Sequence, residues 1–517
     1  MTVGGTWRWA RSAAVWLVAL LLLLLHVGGG DAAVTLRLVQ VVHRHGSRSA
    51  IVKYNTTQIC GDIPCGYLNA AGRTMLLKAG EFLREHYNSN TAKPFFSSEN
   101  YDPSVSYSRS TDVPRTLQSA AAFLYGLFPN RSTAFPVIHT VNKTTDWLLR
   151  TDVIPYTRVF YLLDNLWKRE VGSPKVDEII DLPTLQAVAG EAFSEEACAN
   201  PAKRSDCAFK LFDIGAALEA VGRIEKFPLL KANLEKLRSF AEFYFRTEYS
   251  YNKSDEERRK LGSCGQLLMQ QLLANAQLHM LGKSTYKLYH YSTHDITLSP
   301  LAATLADDTP EAVLPPFAQL YAFELLYDDE ANAYSMRVMR GSPGQTPDTE
   351  YAFSWDGFQL KCMTSGGKVY KARNNTCPYD DFLRLVDSSR PTDPAGLCHL
   401  NDRYKALLGC PTQGGGALNS HCQAYRLACP ASSCRAGHTL EPVTLQCVCS
   451  SASCMGRGGA NVAGDGGSCK KTVSAGATAG IALGCFAVGA IIVACIAVLV
   501  VLPRGNNKHM RGVLQPA

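Results

Sequence analysis

The stretch VTLRLVQVVHRHGSRSA, residues 34 to 50, decides how the rest of the chain is interpreted. Val34 to Val42 is a nearly continuous aliphatic run, which is typical of a strand buried on both faces of a parallel sheet. Two histidines and two arginines follow within six residues. Like charges this close repel one another, and arginine is rarely buried without a partner. The cluster is therefore expected to face either an anion or open water.

Two later stretches repeat this change from a strand to polar side chains. In SVSYSRSTDVPRT the predicted strand ends at Arg109, and in YKLYHYSTHDITLSP it ends at His294 and Asp295. The carboxyl ends of parallel strands meet at one edge of an α/β sheet, where helix N-termini also point and anions bind. We therefore expect these three residues to lie beside the first cluster.

Helical patterns connect the predicted strands. In LNAAGRTMLLKAGEFLREHY, Asn69 is placed to cap a helix N-terminus. Leu76, Ala79 and Leu83 then recur at helical spacing. A long helical pattern, about residues 146 to 280, separates the second strand from the third. This insertion predicts a separate helical cap.

Arginines and histidines that converge on one pocket favour phosphoryl chemistry. Arg44, Arg48 and Arg109 would present several fixed N–H forks, which suit the non-bridging oxygens of a phosphoryl group. An imidazole with one free nitrogen can attack phosphorus, and nearby arginines disfavour its protonation and stabilise charge on the transferring group. A carboxylic acid can protonate the leaving alkoxide and later accept a proton from water. Gly46 suits such a pocket, because a side chain there would obstruct the approach of a phosphate.

Three motifs of this chain resemble those of the histidine acid phosphatase family. They are RHGSRSA at residues 44 to 50, SRSTDVPRT at residues 108 to 116 and STHDITLS at residues 292 to 299. The resemblance extends in order and spacing from about residue 35 to about residue 395. It implies a phosphoglycerate-mutase-like α/β fold, with a parallel-sheet core, helices on both faces and a smaller helical cap domain. The ends of the chain resemble membrane-anchored members, such as the lysosomal and prostatic types.

The resemblance implies a role for each of six residues. His45 resembles the phosphate-accepting nucleophile, and Asp295 resembles the proton donor. The residues that resemble the phosphate clamp are Arg44, Arg48, Arg109 and His294. The implied activity is hydrolysis of phosphomonoesters at acid pH through a phosphohistidine, with no metal and no cofactor. Ala50 stands where the family's first motif usually closes with proline, and we expect altered loop rigidity with retained chemistry.

A metal site is the strongest alternative use of the same histidines. His43 and His45 form an HxH pattern. His290, His294 and Asp295 could complete a zinc or two-metal hydrolase site. Three guanidiniums near a dication would raise the Coulomb energy, whereas around a phosphate they are favourable. The arginines therefore favour the phosphate site.

A second alternative is a catalytically weak protein with a phosphatase fold that serves as a surface or receptor protein. Such a chain could lose His45 or Asp295 without penalty, and both are present. Their presence favours an enzyme. We interpret His43 and His290 as structural, and Glu324 as a buried carboxylate that is hydrogen-bonded.

Both ends of the chain carry patterns of a membrane or secreted protein. Residues 1 to 32 resemble a cleaved secretory signal peptide, with an uncleaved anchor as the alternative. Residues 478 to 502 are almost wholly apolar and long enough to cross a bilayer. The basic tail, residues 503 to 517, argues against a removed glycolipid-anchor signal. We predict a single-pass type I membrane protein with a lumenal or extracellular catalytic domain, at the cell surface or in endosomal or lysosomal membranes.

Cysteine usage divides the region outside the membrane into two parts. Residues 33 to 395, the predicted phosphatase domain, have few cysteines, whereas residues 396 to 471 contain nine. This second segment has too few aliphatic residues for a core, so disulfides would hold it together as a stalk. A zinc site is the alternative, but paired CxxC spacing is absent and a secreted context favours oxidation.

Other features limit the range of partners. The formal net charge of +7 is modest for this length, and no dense basic run with aromatics occurs, which argues against nucleic acid. Gly476, Gly480 and Gly484 form a GxxxGxxxG face in the predicted span, which would permit a homodimer. Five glycosylation sequons are expected on exposed loops: Asn55, Asn130, Asn142, Asn252 and Asn374.

Overall fold

The computed structural model describes most of the chain between residues 34 and 450. The described ranges are 34–53, 55–89, 94–130, 135–193, 196–411, 417–434 and 438–450. They belong to one compact unit. The predicted signal peptide, membrane span and cytoplasmic tail lie outside the described residues. Among the residues that are described, no helix is both long enough and apolar enough to cross a membrane.

The fold is built on one large mixed sheet. In chain order, the strands of the main globule are β1 Val34–Arg44, β2 Ser106–Ser110, β3 Leu288–Thr293, β4 Leu320–Asp328, β5 Ala333–Pro343, β6 Phe353–Trp355, β7 Lys361–Met363, β8 Val369–Lys371 and β9 Thr376–Pro378. The sheet has the order β2-β3-β1-β4-β5-β6, with β9 also paired to β5. β2, β3 and β1 run parallel, and the remaining pairs are antiparallel. The strands that carry the three motifs therefore form the parallel part, and their carboxyl ends share an edge.

Helices fill most of the chain between the strands. In chain order they are α1 Thr56–Cys60, α2 Ala70–Asn88, α3 Pro114–Leu127, α4 Pro155–Trp167, α5 Ser173–Ile179, α6 Leu182–Ala192, α7 Glu196–Ala199, α8 Arg204–Glu219, α9 Pro228–Tyr249, α10 Glu256–Leu261, α11 Gln266–Met280, α12 Asp295–Thr304, α13 Pro310–Val313, α14 Tyr379–Asp387, α15 Asp402–Leu407 and α16 Ser420–Ala428. Asn69 caps α2 as predicted, because its side chain accepts a hydrogen bond of 2.8 Å from the Gly72 N–H.

Helices cover both faces of the sheet, which confirms the predicted α/β class. Val39 and Val41 of β1 belong to a buried cluster that includes side chains of α2 and α3. Leu38 and Val42 belong to another, formed with α11 and α12. Successive residues of a strand point to opposite faces, so a strand covered on both sides must be apolar almost throughout. This explains the continuous aliphatic run that precedes the first motif.

The helices between β2 and β3 build a core of their own. Side chains of α5, α6, α8 and α9 form a buried cluster that is distinct from the two beside the sheet. Ala50, which stands where proline was expected, is fully buried in this cluster. The loop after β1 is therefore packed against the helical cap. The last helix of the insertion, α11, packs against the sheet.

The cysteine-rich segment begins as part of the globule. Leu400, Leu408 and Tyr425 share a small apolar cluster with Val159 of α4. Disulfides of the described residues join Cys60–Cys65, Cys198–Cys207, Cys362–Cys377, Cys398–Cys429, Cys410–Cys422 and Cys434–Cys447. Two short strands, β10 His438–Leu440 and β11 Cys447–Cys449, pair at the end of this region. Three of these six disulfides, Cys398–Cys429, Cys410–Cys422 and Cys434–Cys447, lie in the cysteine-rich segment.

The α2 and α3 helices approach each other backbone to backbone. A Cβ atom at Gly80 would lie 2.1 Å from the Phe123 carbonyl oxygen, and one at Gly126 would lie 2.0 Å from the Leu77 carbonyl oxygen. Such distances are far inside van der Waals contact. Both positions therefore require glycine, and the close packing holds α3 against the sheet.

Replacing Gly126 with alanine is expected to destabilise the fold by about 1 to 3 kcal/mol, because the backbones of α2 and α3 must separate. Chemical denaturation of the full chain measures this change in the free energy of unfolding. Gly357→Ala is the matched control, since a Cβ atom there would meet nothing within 4 Å. Equal stabilities of the two variants would contradict the packing argument.

Candidate active site

The three motifs meet at a cavity of about 540 Å³ beside the carboxyl ends of β1 and β3. Five of the six predicted site residues line it: Arg44, His45, Arg48, His294 and Asp295. The sixth, Arg109, does not. The convergence expected from parallel strand ends is therefore observed, with one correction.

Arg109 lies on the wrong face of its strand for the cavity. Its neighbour Ser108 contacts His290, whose ring stacks on Phe123 of α3. Because side chains alternate along a strand, Arg109 lies on the opposite face of the sheet. There its guanidinium forms an ion pair with Asp146, whose carboxylate is completely buried. The structure thus corrects the expected clamp: Arg109 neutralises a buried carboxylate and does not reach the cavity.

Arg115 occupies the position that was expected of Arg109. It follows Pro114 in the first turn of α3, and its side chain lines the cavity. Its Nε is buried without an acceptor, and within the described residues this guanidinium has no ion pair. Burial lowers the pKa of Arg115 to about 10, and repulsion from the charge of Arg48 is the second cause. Arg115 therefore remains a cation at acid pH. The signal that could have found it is the proline, which favours the first position of a helix and so places Arg115 at a helix N-terminus.

His45 is held as a neutral ring with a defined tautomer. Its Nδ1 lies 2.9 Å from the Gly46 carbonyl oxygen. A carbonyl only accepts, so Nδ1 must carry the hydrogen, and the lone pair of the neutral ring is on Nε2. The ring is almost fully buried. Burial, followed by the charges of Arg115 and Arg44, holds the pKa of His45 well below its usual value. His45 therefore presents an unprotonated nitrogen even in acid solution.

Arg44 is fixed on three sides. Its Nη2 lies 2.7 Å from Oδ2 of Asp295. Its Nη1 donates to the Pro315 carbonyl oxygen at 2.5 Å, and its guanidinium carbon lies 4.4 Å from the centre of the Phe317 ring. A guanidinium held in this way keeps its geometry when a ligand binds, which reduces the entropy lost on binding.

Arg48 joins the loop after β1 to the helical cap. Its two terminal nitrogens donate to both carboxylate oxygens of Asp213 in α8, at 3.2 and 2.7 Å. Asp213 also accepts a hydrogen bond of 3.0 Å from the Ile51 N–H. This bidentate pair is the strong form of an arginine–carboxylate interaction. The orientation of Arg48 therefore depends on the cap as well as on the sheet.

His294 and Asp295 end β3 and begin α12. The Nε2 of His294 lies 2.9 Å from Oγ1 of Thr111, and its ring stands edge-on to His45 at a centroid distance of 5.5 Å. Oδ1 of Asp295 accepts a hydrogen bond of 2.9 Å from the Ile296 N–H, and its other oxygen contacts Arg44. The end of the cavity at His45 thus places its neutral ring beside three guanidiniums, those of Arg44, Arg48 and Arg115, and beside the carboxyl groups of Asp213 and Asp295.

His43 and His290 form a buried pair below the cavity. The two Nε2 atoms are 2.7 Å apart, Nδ1 of His43 lies 2.8 Å from the Arg44 carbonyl oxygen, and Ser108 Oγ lies 2.7 Å from Nδ1 of His290. Burial lowers the pKa of both rings, which favours their neutral forms. With both rings neutral, the serine donates to His290, His290 donates to His43, and His43 donates to the carbonyl.

The histidine pair bears on the metal interpretation. Each Nε2 is already used by the other ring, so neither His43 nor His290 has that nitrogen available as a ligand. In the described part of the chain, no group of three or more His, Cys, Asp or Glu side chains has an arrangement that could hold a metal ion. Glu324, the other buried carboxylate considered above, accepts from Tyr87 at 2.8 Å and pairs with Arg337, as predicted for a structural residue.

Comparison with known sequences places the chain in a family. The sequence profile described as "Histidine phosphatase superfamily (branch 2)" matches residues 35–339. Bovine (Bos taurus) lysosomal acid phosphatase is 27% identical over 409 residues, which cover 77% of this chain and 88% of that protein. Rat (Rattus norvegicus) prostatic acid phosphatase is 26% identical over 417 residues, which cover 77% of this chain and 97% of that protein.

A solved structure shares the fold. The phytase of Citrobacter braakii superimposes with a TM-score of 0.51 at 16% sequence identity, and the match covers 69% of this chain and 98% of that one. At this identity the likeness concerns the arrangement of strands and helices. It agrees with the mixed sheet and the helical layers described above.

The charge distribution predicts an anion site that depends on Arg115 and not on Arg109. We expect Arg115→Gln to weaken the binding of inorganic phosphate about tenfold or more, since a charged hydrogen bond is lost. Titration calorimetry of the full chain at acid pH measures the Kd. The control is Arg109→Gln combined with Asp146→Asn, which removes the buried pair without leaving an isolated charge and should change the Kd less than about twofold. A larger effect of the control than of Arg115→Gln would reject this assignment.

The buried histidine pair predicts a loss of stability in acid. Burial lowers the pKa of His43 from 6.5 to about 4, although the hydrogen bond to the Arg44 backbone acts to raise it. As the pH falls, this histidine is therefore protonated in the unfolded chain before it is protonated in the folded protein. The contribution to stability is complete above pH 6.5 and is lost as the pH falls toward 4. Between pH 7 and pH 5 the loss from this one ring is about 2 kcal/mol.

Replacing both His43 and His290 with leucine should therefore flatten the dependence of unfolding free energy on pH. Urea denaturation of the full chain at the two pH values measures it. The exposed His421→Asn is the control and should keep the slope of the parent protein. A double variant with an unchanged slope would show that the pair is not the cause.

Proposed function

The chain belongs to the histidine phosphatase superfamily, and on this basis we propose that it hydrolyses phosphomonoesters at acid pH through a phosphohistidine formed on His45. The acid phosphatases to which it is similar support this class of reaction. The observation that carries the proposal is the state of His45: a buried neutral ring, with Nδ1 bonded to a carbonyl and Nε2 beside three cationic side chains.

Binding of the substrate uses the guanidiniums of the cavity. Arg44, Arg48 and Arg115 are cations around one small volume, and a phosphoryl group carries oxygens that accept from several N–H groups at once. His294, edge-on to His45, lies where its ring can contact a further oxygen. The three guanidiniums repel one another, and a bound phosphate attracts all three. The site therefore favours an anionic phosphate ester over an ester without charge.

In the first chemical step, Nε2 of His45 attacks phosphorus. The N–P bond forms while the bond from phosphorus to the ester oxygen breaks. Asp295, in its acid form, gives its proton to the departing oxygen, so the leaving group departs as a neutral alcohol. The Nδ1–H of His45 stays bonded to the Gly46 carbonyl, which stabilises the positive charge that develops on the ring.

In the second step, water attacks the phosphohistidine. The Asp295 carboxylate accepts a proton from that water while the N–P bond breaks, and phosphate and neutral His45 are restored. The cycle needs a protonated carboxyl group and an unprotonated imidazole at the same time. The lowered pKa of His45 meets the second requirement in acid, so activity is expected to peak below neutral pH.

We further propose that the enzyme is anchored by residues 478 to 502 and faces the lumen or the outside of the cell. The absence of charged residues between Lys471 and Arg504 supports a span, and the disulfides support an oxidising compartment. The lysosomal relatives are consistent with an endosomal or lysosomal membrane. Four sequon asparagines are exposed, as glycosylation requires: Asn55, Asn142, Asn252 and Asn374. A homodimer through the glycine face of the span belongs to the same proposal.

The two catalytic roles predict different responses to the leaving group. His45→Ala should reduce phosphate release by about 10³-fold or more for every ester, because no nucleophile remains. Asp295→Asn should slow alkyl phosphates by about 10² to 10⁴ and slow 4-nitrophenyl phosphate much less, because nitrophenolate departs without a proton. Steady-state kinetics of the full chain at acid pH, with a chelator present, measures both.

A trapping experiment tests the intermediate. Asp295→Asn mixed with radiolabelled 4-nitrophenyl phosphate and quenched in alkaline detergent should retain label on the protein, and the double variant with His45→Ala should not. Loss of activity on chelation would instead favour a metal hydrolase. Label that persists without His45 would place the covalent step on another residue.

A further inference from the structure

The cavity continues beyond the phosphate-binding residues to a wall of aromatic rings on the helical cap. Phe209 and Phe212 of α8 and Tyr244 of α9 line it and are only partly buried. Phe209 lies 5.3 Å from Tyr244 and 6.2 Å from Phe212, measured between ring centroids. Phe245 and Tyr249 lie behind them, almost fully buried. The exposed sides of three rings therefore form one side of the space where the ester's leaving group must lie.

The backing of the wall makes it rigid. Phe245 contacts Phe209 at 6.1 Å and Tyr249 at 5.3 Å, so the partly exposed rings rest on a buried aromatic layer. Distances of this kind are typical of paired aromatic rings in protein cores. A rigid apolar surface loses little entropy when a ligand packs on it, and ring-on-ring contact adds to the gain from burial alone.

The charges in the outer part of the cavity cancel. Lys168 pairs with Asp206 at 2.7 Å, and Arg150 pairs with Asp152. Lys143 and Glu248 add one formal charge of each sign to the lining. Taken together, the outer lining has as many carboxylates as cations. It therefore offers no surplus positive charge to a leaving group that carries further phosphates.

Resting on the proposed hydrolase activity, we propose that this phosphatase selects monoesters whose leaving group is an uncharged aromatic ring, packed against Phe209 and Tyr244. The inner cations bind the single phosphoryl group, and the outer cavity binds the ring. A polyphosphorylated leaving group is disfavoured, because the carboxylates of Asp152, Asp206 and Glu248 balance the outer cations and leave no surplus positive charge for further phosphates. The cavity volume of about 540 Å³ is within the range of small-molecule sites.

The test must separate recognition of the ring from the intrinsic reactivity of aryl esters. Benzyl phosphate and ethyl phosphate release alcohols of similar acidity, so the ratio of their kcat/KM values reports on binding of the ring. With the full chain at acid pH, we expect a ratio of about ten or more. Inositol hexakisphosphate should have a lower kcat/KM than benzyl phosphate.

Two variants assign the selectivity to the wall. Tyr244→Leu and Phe209→Leu should each lower the benzyl-to-ethyl ratio about three- to tenfold, because each removes a ring that benzyl phosphate contacts and ethyl phosphate cannot stack on. Phe243→Leu is the matched control, because this ring is on the same helix but packs on Trp167, at a centroid distance of 6.1 Å, and does not line the cavity. Its ratio should equal that of the parent protein.

The outcomes separate the two proposals. A parent ratio near one, a ratio that neither wall variant changes, or a preference for inositol hexakisphosphate would overturn the aromatic selectivity while leaving the hydrolase intact. No phosphate release from any of the three esters by folded protein would refute the hydrolase proposal itself.

Discussion

Buried positive charge is the constraint on which this site depends. Arg44 and Arg48 are less than a tenth exposed, and removing a guanidinium from water is costly unless a carboxylate faces it. Asp295 and Asp213 supply those carboxylates. The same charges act on His45, where they add to burial and keep the ring neutral. One arrangement of cations thus holds the anion site together and keeps the nucleophile unprotonated.

The constraint also explains why the helical cap is needed. Asp213 is on α8, in the insertion between β2 and β3, while Arg48 follows the first strand. The apolar packing of Ala50 against the cap and the bidentate pair fix the loop that carries Arg48 from two sides. The aromatic wall comes from the same two cap helices that face this loop. The ends of the sheet strands therefore carry the residues proposed to act on the phosphoryl group. The cap supplies the carboxylate that pairs with Arg48 and the rings that line the rest of the cavity.

The pair of His43 and His290 makes the stability of the fold depend on pH. His43 and His290 connect β1 to β3 through a hydrogen bond between their rings, and protonation of both rings would break it. They lie directly under the strand end that carries Arg44 and His45, so they help to hold the site. The fold must therefore keep two buried imidazoles unprotonated under the conditions in which Asp295 is needed as an acid. Their burial maintains that state, because the charged form would lose its hydration.

The sequence by itself determined the local parts of this protein. The aliphatic run before residue 43, the Asn69 cap and the polar strand ends predict a parallel α/β sheet with a cationic edge, because each depends on neighbours close in the chain. Only the tertiary structure decided which arginines reach the cavity. Side chains alternate between the two faces of a strand, and Arg109 is on the face where it pairs with Asp146. Arg115 is the second residue of α3, and its side chain lines the cavity. The role of Asp213 was equally hidden, because it arises from a contact with Arg48, 165 residues away, and such a separation leaves no periodicity in the sequence. The aromatic wall was hidden because helical spacing does not show which rings of α8 and α9 line the cavity.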